Sequence, residues 1–124
     1  MKRMLVTLGL ALAVPTALYA APGDMTVSTF LAKADGLKAK GPMALFSSDI
    51  NVLKAEGRAA GESYTARLKQ ERAAGRPSSC PPKGVKVSSD ELLAFLRTYP
   101  ANVRPKVPMK QAIGDFFIKK YPCK

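Results

Sequence analysis

The chain holds two cysteines, Cys80 and Cys123, and each stands beside proline, in Cys80-Pro81-Pro82 and Tyr121-Pro122-Cys123. Two apolar stripes of helical spacing lie between them. The first is Leu92, Leu93, Phe95, Leu96 and Tyr99; the second is Met109, Ala112, Ile113, Phe116 and Phe117. Helices of about three turns each span roughly 18–20 Å. The short connection Ala101 to Val107 makes two such helices antiparallel neighbours. The start of one then lies beside the end of the other, which brings Cys80 to Cys123. A disulfide there closes the helical hairpin at its open end. It pins a tail that would otherwise fray, and in the chain-entropy view it contributes about 4 kcal/mol.

Two cysteines in an exported chain usually pair, and the first residues agree with export. Lys2 and Arg3 precede the apolar run Met4 to Val14, and Ala17-Leu18-Tyr19-Ala20 supplies small residues for a peptidase. This is the layout of a secretory signal peptide over residues 1–20, with cleavage after Ala20. Cleavage one residue later would leave Pro22 at the new terminus. The apolar run is too short to span a bilayer, and no later segment is long and apolar enough to do so. Residues 21–124 are expected to form one small helical domain in the periplasm. A domain of that size has a limited core and gains from a covalent staple.

The rest of that domain also reads as helix. Val27, Phe30, Leu31, Ala34 and Leu37 give a stripe over about Met25 to Lys40, with Asp24 as cap and Gly41 as stop. Pro42 to Phe46 reads as one short helical turn that buries Leu45 and Phe46. Ser48 or Asp49 caps a long helix to about Ala74, stopped by Gly75. Its inward stripe is Ile50, Leu53, Gly57, Ala60, Tyr64 and Leu68, and the small Gly57 and Gly61 allow a close helix approach or a kink. Lys54, Arg58, Arg67, Lys69 and Arg72 occupy its other faces, with Glu56, Glu62 and Glu71 among them. Arg76 to Gly84 is a loop stiffened by three prolines. Ser88-Ser89-Asp90-Glu91 fits a capping box, with Val87 and Leu92 as its hydrophobic staple. Pro100 stops that helix; Pro108 opens the last one and Pro122 ends it. The expected fold is all-α: four main helices, one short turn and a C-terminal hairpin closed by the disulfide.

Twenty basic and nine acidic residues give a net charge of +11. Loss of Lys2 and Arg3 with the leader lowers it by two. Such a balance attracts anionic partners: an acidic protein, a wall polymer, lipid head groups or nucleic acid. Export and the lack of a nucleic-acid motif argue against the last. The chain has no histidine, which excludes His-based triads and the commonest zinc sets. The cysteines lack CxxC spacing. Among Asp49, Glu56, Glu62, Asp90, Glu91 and Asp115 no two are paired by pattern, and capping explains Asp90 and Glu91. The sequence therefore points away from an enzyme and implies no cofactor or metal.

The second half carries a recognisable series: Cys80-Pro81-Pro82, Gly84-Val85, the helix Glu91 to Pro100, Ala112-Ile113, Phe117 and Tyr121-Pro122-Cys123. Over residues 78 to 123 it resembles the Rap/Tai immunity family. That resemblance implies a small exported helical protein with Cys80 and Cys123 as its C-terminal disulfide. It further implies neutralisation of a peptidoglycan amidase effector delivered by type VI secretion. The expected function is a periplasmic binding or inhibitory protein whose partner is a protein, such as a cell-wall amidase effector. Candidate contact residues are Arg76, Lys83 and Lys86 in one loop and Arg104 and Lys106 in another. The alternative is a cationic envelope protein that binds anionic polymer or a membrane surface without inhibiting anything. The oligomeric state stays open, a homodimer included.

Overall fold

Local signals fix most of the helix ends. In the computed structural model, which describes residues 21–124, four α-helices follow one another: α1 Val27–Lys40, α2 Ser48–Ala73, α3 Ser89–Leu96 and α4 Met109–Lys120. The signal-peptide segment, residues 1–20, lies outside the described residues. Short 3-10 turns cover Gly41–Phe46 and Arg104–Lys106. The all-α reading holds for the described residues. The only sheet-like pairing among them is one antiparallel bridge between Thr26 and Pro108.

Ser88 caps α3 as expected, its hydroxyl accepting the Glu91 N–H at 3.2 Å. The Glu91 carboxylate does not return to the cap; it pairs with Lys120 on α4. Ser47 caps α2, one residue before the expected position. Thr26, not Asp24, caps α1, accepting the Thr29 N–H at 3.2 Å. The reason is tertiary. Val27 N–H donates to Val107 and Met109 N–H to Met25, both at 2.8 Å, so Met25 and Thr26 run extended beside the start of α4. Asp24 pairs with Lys110 instead, at 2.7 Å. Gly41 and Gly75, both at positive φ, stop α1 and α2.

The core gathers Val27, Phe30 and Leu31 from α1, Ala60, Tyr64 and Leu68 from α2, Leu96 from α3, and Met109, Ala112 and Ile113 from α4. α4 leans chiefly on α2. The rings of Tyr64 and Phe117 stack there with centroids 4.3 Å apart. Close approach is set at Gly114, where a Cβ would overlap the Arg67 guanidinium. The sequence placed the close approach at Gly57 and Gly61, but a Cβ at either would meet nothing within 4 Å. Those two glycines face grooves. Glu56 also departs from its expected solvated face: it is buried, and its carboxylate accepts the Met25 N–H at 2.8 Å.

Two further expectations fail. Leu45 and Phe46 are 76% and 84% exposed, with Met43 beside them at 65%. In a 3-10 turn residues i and i+3 share a face. Gly41, Ala44 and Ser47 therefore share one, and Ala44 and Ser47 are its half-buried members. Met43 and Phe46 fall on another. α3 is also shorter than expected and ends at Leu96 rather than near Tyr99. The Arg104 guanidinium takes the carbonyls of Arg97 and Tyr99, at 2.8 and 2.9 Å, and holds that segment as a turn. The hairpin is thus unequal, with Phe95 meeting Phe116 edge-on at 5.5 Å. Its open end is closed by Cys80–Cys123, Cα atoms 5.0 Å apart, as the sequence predicts.

The bridge joins residues 43 apart in sequence, so Cys123→Ser should cost about 4 kcal/mol. Urea unfolding of the oxidised wild type, the reduced wild type and the variant checks this; reduction should bring the wild type down to the variant. Glu56→Ala leaves the half-buried Met25 N–H without its acceptor and should cost about 1–2 kcal/mol. Glu56→Gln keeps an acceptor oxygen and should recover most of that loss in the same assay.

Candidate binding groove

Beyond Gly75 the chain turns back onto α2 and is fastened there. The Glu71 carboxylate accepts the Ser78 N–H at 3.1 Å and the Ser78 hydroxyl at 2.5 Å. These two bonds, the hydroxyl first, hold the Glu71 carboxyl below its ordinary value, with Arg67 adding to the effect. Ser79 is fully buried, and its hydroxyl shares a 2.5 Å hydrogen bond with that of Tyr64. Cys80 N–H donates to the Tyr121 carbonyl at 2.7 Å, and its sulfur joins Cys123. Residues 78–80 are therefore tied to both α2 and α4.

The segment Pro81–Val87 then runs free of such ties. Among the described residues, no backbone–backbone hydrogen bond outside the helices involves it. A groove of about 950 Å³ lies between this segment and α2. Tyr64, Leu68 and Phe117 line it from the core side. Arg58, Lys69 and Arg72 line it from α2, and Pro82, Lys83 and Val85 from the loop. Gly61 opens its middle, because no side chain fills the space there. A second groove of about 590 Å³, lined by Phe30, Leu37, Leu53, Gly57, Leu92 and Leu93 among others, lies farther along α2. Arg58 lines both.

The charge balance of the groove follows from what the carboxylates do elsewhere. Asp24, Asp35, Asp49, Glu71 and Glu91 are in ion pairs, with Lys110, Arg97, Lys33, Arg67 and Lys120. The hydrogen bond from Arg97 is the main cause that lowers the Asp35 carboxyl and, reciprocally, raises the Arg97 guanidinium. Glu56 holds the Met25 amide, and Asp115 accepts the Tyr99 hydroxyl at 2.6 Å. Burial first, and that bond second, push the Tyr99 phenol well above its usual range. Arg58, Lys69, Arg72 and Lys83 form no ion pair among the described residues. Among the described residues Glu62 is the one carboxylate in the groove lining.

Of the residues singled out in the sequence, Lys83 lines the groove. Arg76 and Lys86 are exposed on the same loop but outside the lining. Arg104 and Lys106 lie at the other end of α4, about 18 Å away by its twelve residues. Arg104 is occupied with the carbonyls of Arg97 and Tyr99. The five candidates thus do not converge on one patch. The cations that do converge, Arg58, Lys69 and Arg72, sit on one face of α2, and their spacing was readable once a loop was known to cover that face. Among the described residues no group of three or more Asp, Glu, Cys or His side chains is clustered to hold a metal ion, and no helix is long and apolar enough to cross a membrane.

The Glu71 tether has a definite pH dependence. Its carboxyl is lowered in the fold, so the tether contributes fully above the ordinary value of 4.5 and is lost as pH falls through the lower folded value. Hydrogen exchange at the Ser78 amide, corrected for intrinsic rate, should show protection that fades below pH 4.5. Glu71→Gln should remove that step and leave the profile flat. Comparison of the chain with family models, with curated proteins and with solved structures finds no match.

Proposed function

We propose that this chain is an exported periplasmic protein that binds and inhibits a partner protein, in the manner implied by its resemblance to the Rap/Tai immunity family. The observation that supports this reading best is the basic groove walled by a fastened, proline-rich loop. Among the described residues Arg58, Lys69, Arg72 and Lys83 form no ion pair, and they stand beside an apolar floor. The loop base is held by Glu71, Tyr64 and the disulfide, so little ordering cost remains for binding. Such a surface suits a folded partner with an acidic face, and the resemblance names a cell-wall amidase effector as that partner. Inhibition by contact requires no catalytic group of its own.

The net charge of +11 favours a second reading, a cationic envelope protein that binds anionic polymer or a membrane surface. The two differ in salt response, because attraction between exposed charges is screened within about 10 Å at 0.1 M salt. Affinity capture from envelope extracts with the oxidised protein, at low and at moderate salt, separates them. The expected result is one wall hydrolase retained at moderate salt, with its cleavage of peptidoglycan abolished by an equimolar amount of this protein. A broad set of acidic components that washes off with salt would sink the inhibitory reading and favour the second.

A further inference from the structure

We infer that the groove between α2 and Pro81–Val87 takes an extended acidic segment of a protein partner, and that this groove is the specific contact face. The inference rests on the binding reading above and names the chemistry of the segment that enters. Three observations meet there. Four cations with no ion pair among the described residues line the groove, against one carboxylate, Glu62. Its floor is apolar and aromatic, with Tyr64 and Leu68 95% covered by the fold and Phe117 partly covered. Its outer wall is the non-helical segment Pro81–Val85, which turns at Lys83-Gly84 and, among the described residues, makes no backbone–backbone hydrogen bond to another part of the chain.

Each observation selects a property of the occupant. The cations select negative charge, and their spread along α2 from Arg58 to Arg72 selects several charges along a chain rather than one. The floor selects apolar side chains between those charges. The wall turns at Lys83-Gly84, with Gly84 at a φ of 75°, and Pro81 and Pro82 carry no N–H, so it offers single main-chain donors and acceptors and no strand edge; the line of cations along α2 is what selects an elongated occupant. An extended segment presents alternate side chains to opposite sides, so acidic residues can meet the cations while apolar ones meet the half-buried Phe117 and Val85. Residues 78–80 fix one end of the wall and the Ser88 cap of α3 the other, and Pro81 and Pro82 restrict its backbone, which lowers the ordering cost of binding.

The probe is a fluorescein-labelled twelve-residue peptide of alternating glutamate and leucine, read by anisotropy against the oxidised protein. Lys69→Gln/Arg72→Gln/Lys83→Gln removes three groove cations. Lys38→Gln/Lys106→Gln/Lys119→Gln removes three exposed cations elsewhere and serves as the charge-matched control. Urea unfolding of both variants establishes that they fold. The expected result is a loss of roughly tenfold or more in affinity, with a shallower salt dependence, for the groove variant only. Equal losses in both variants would overturn the inference in favour of bulk charge attraction. Binding of phosphatidylglycerol vesicles with no binding of the peptide would overturn it in favour of a lipid surface. The groove variant also separates this inference from the functional reading. If it still inhibits a captured wall hydrolase like wild type, the groove assignment fails and the inhibitory reading stands. If it loses the peptide and no hydrolase is ever captured, the groove stands and the inhibitory reading fails.

Discussion

Helix α4 is held at both ends, and the remaining structure is arranged around that constraint. At its start, Met109 and Lys110 donate to Met25 and Gly23, and Val27 returns a bond to Val107. At its finish, the Tyr121 carbonyl takes the Cys80 amide and Cys123 takes the Cys80 sulfur. Between those anchors α4 lies against α2, with Gly114 admitting Arg67 and Phe117 stacking on Tyr64. An isolated helix of twelve residues is marginal in water. Here its two ends are fixed by different parts of the chain, and its apolar face closes the core.

The same arrangement explains where the positive charge is left. A small domain needs polar anchors where its core is thin, and this one uses its few carboxylates for them. Glu56 ties the extended entry to α2, Glu71 ties the loop, and Asp115 meets the Tyr99 hydroxyl. Asp35 and Glu91 clamp α3 and its exit to α1 and α4. Among the described residues, cations without an ion pair are spread over the surface, Lys54, Arg76 and Lys119 among them, and Arg58, Lys69 and Arg72 are those that lie along the face of α2 that the proline loop overhangs.

Much of this was legible in the sequence, because helix periodicity and caps are local. The four helices, the Ser88 cap, the glycine stops and the disulfide all follow from residues within a few positions of each other or from simple helix geometry. What was not legible depended on distant partners. The Asp24 cap was displaced because Lys110 took its carboxylate and the pairing with α4 moved the helix start to Thr26. Burial of Leu45 and Phe46 was expected from their apolarity, yet the 3-10 geometry turned Ala44 inward instead. Gly57 and Gly61 suggested close packing, but α4 came in over its own Gly114 on another side of α2. For the groove, Lys83 was readable from its place in a stiff loop. Arg58, Lys69 and Arg72 were visible only as a charged helix face, since nothing local says which face a loop will cover.

The disulfide has a mechanical consequence. Residues 80–123 form a closed covalent loop that contains α3 and α4. Tension applied at Lys124 therefore does not pass through either helix. It crosses from Cys123 to Cys80 and loads Ser79 and Ser78, and through them the hydroxyl of Tyr64 and the carboxylate of Glu71 on α2. A tether or fused domain at that end would pull on the floor and hinge of the groove while leaving the C-terminal helices slack.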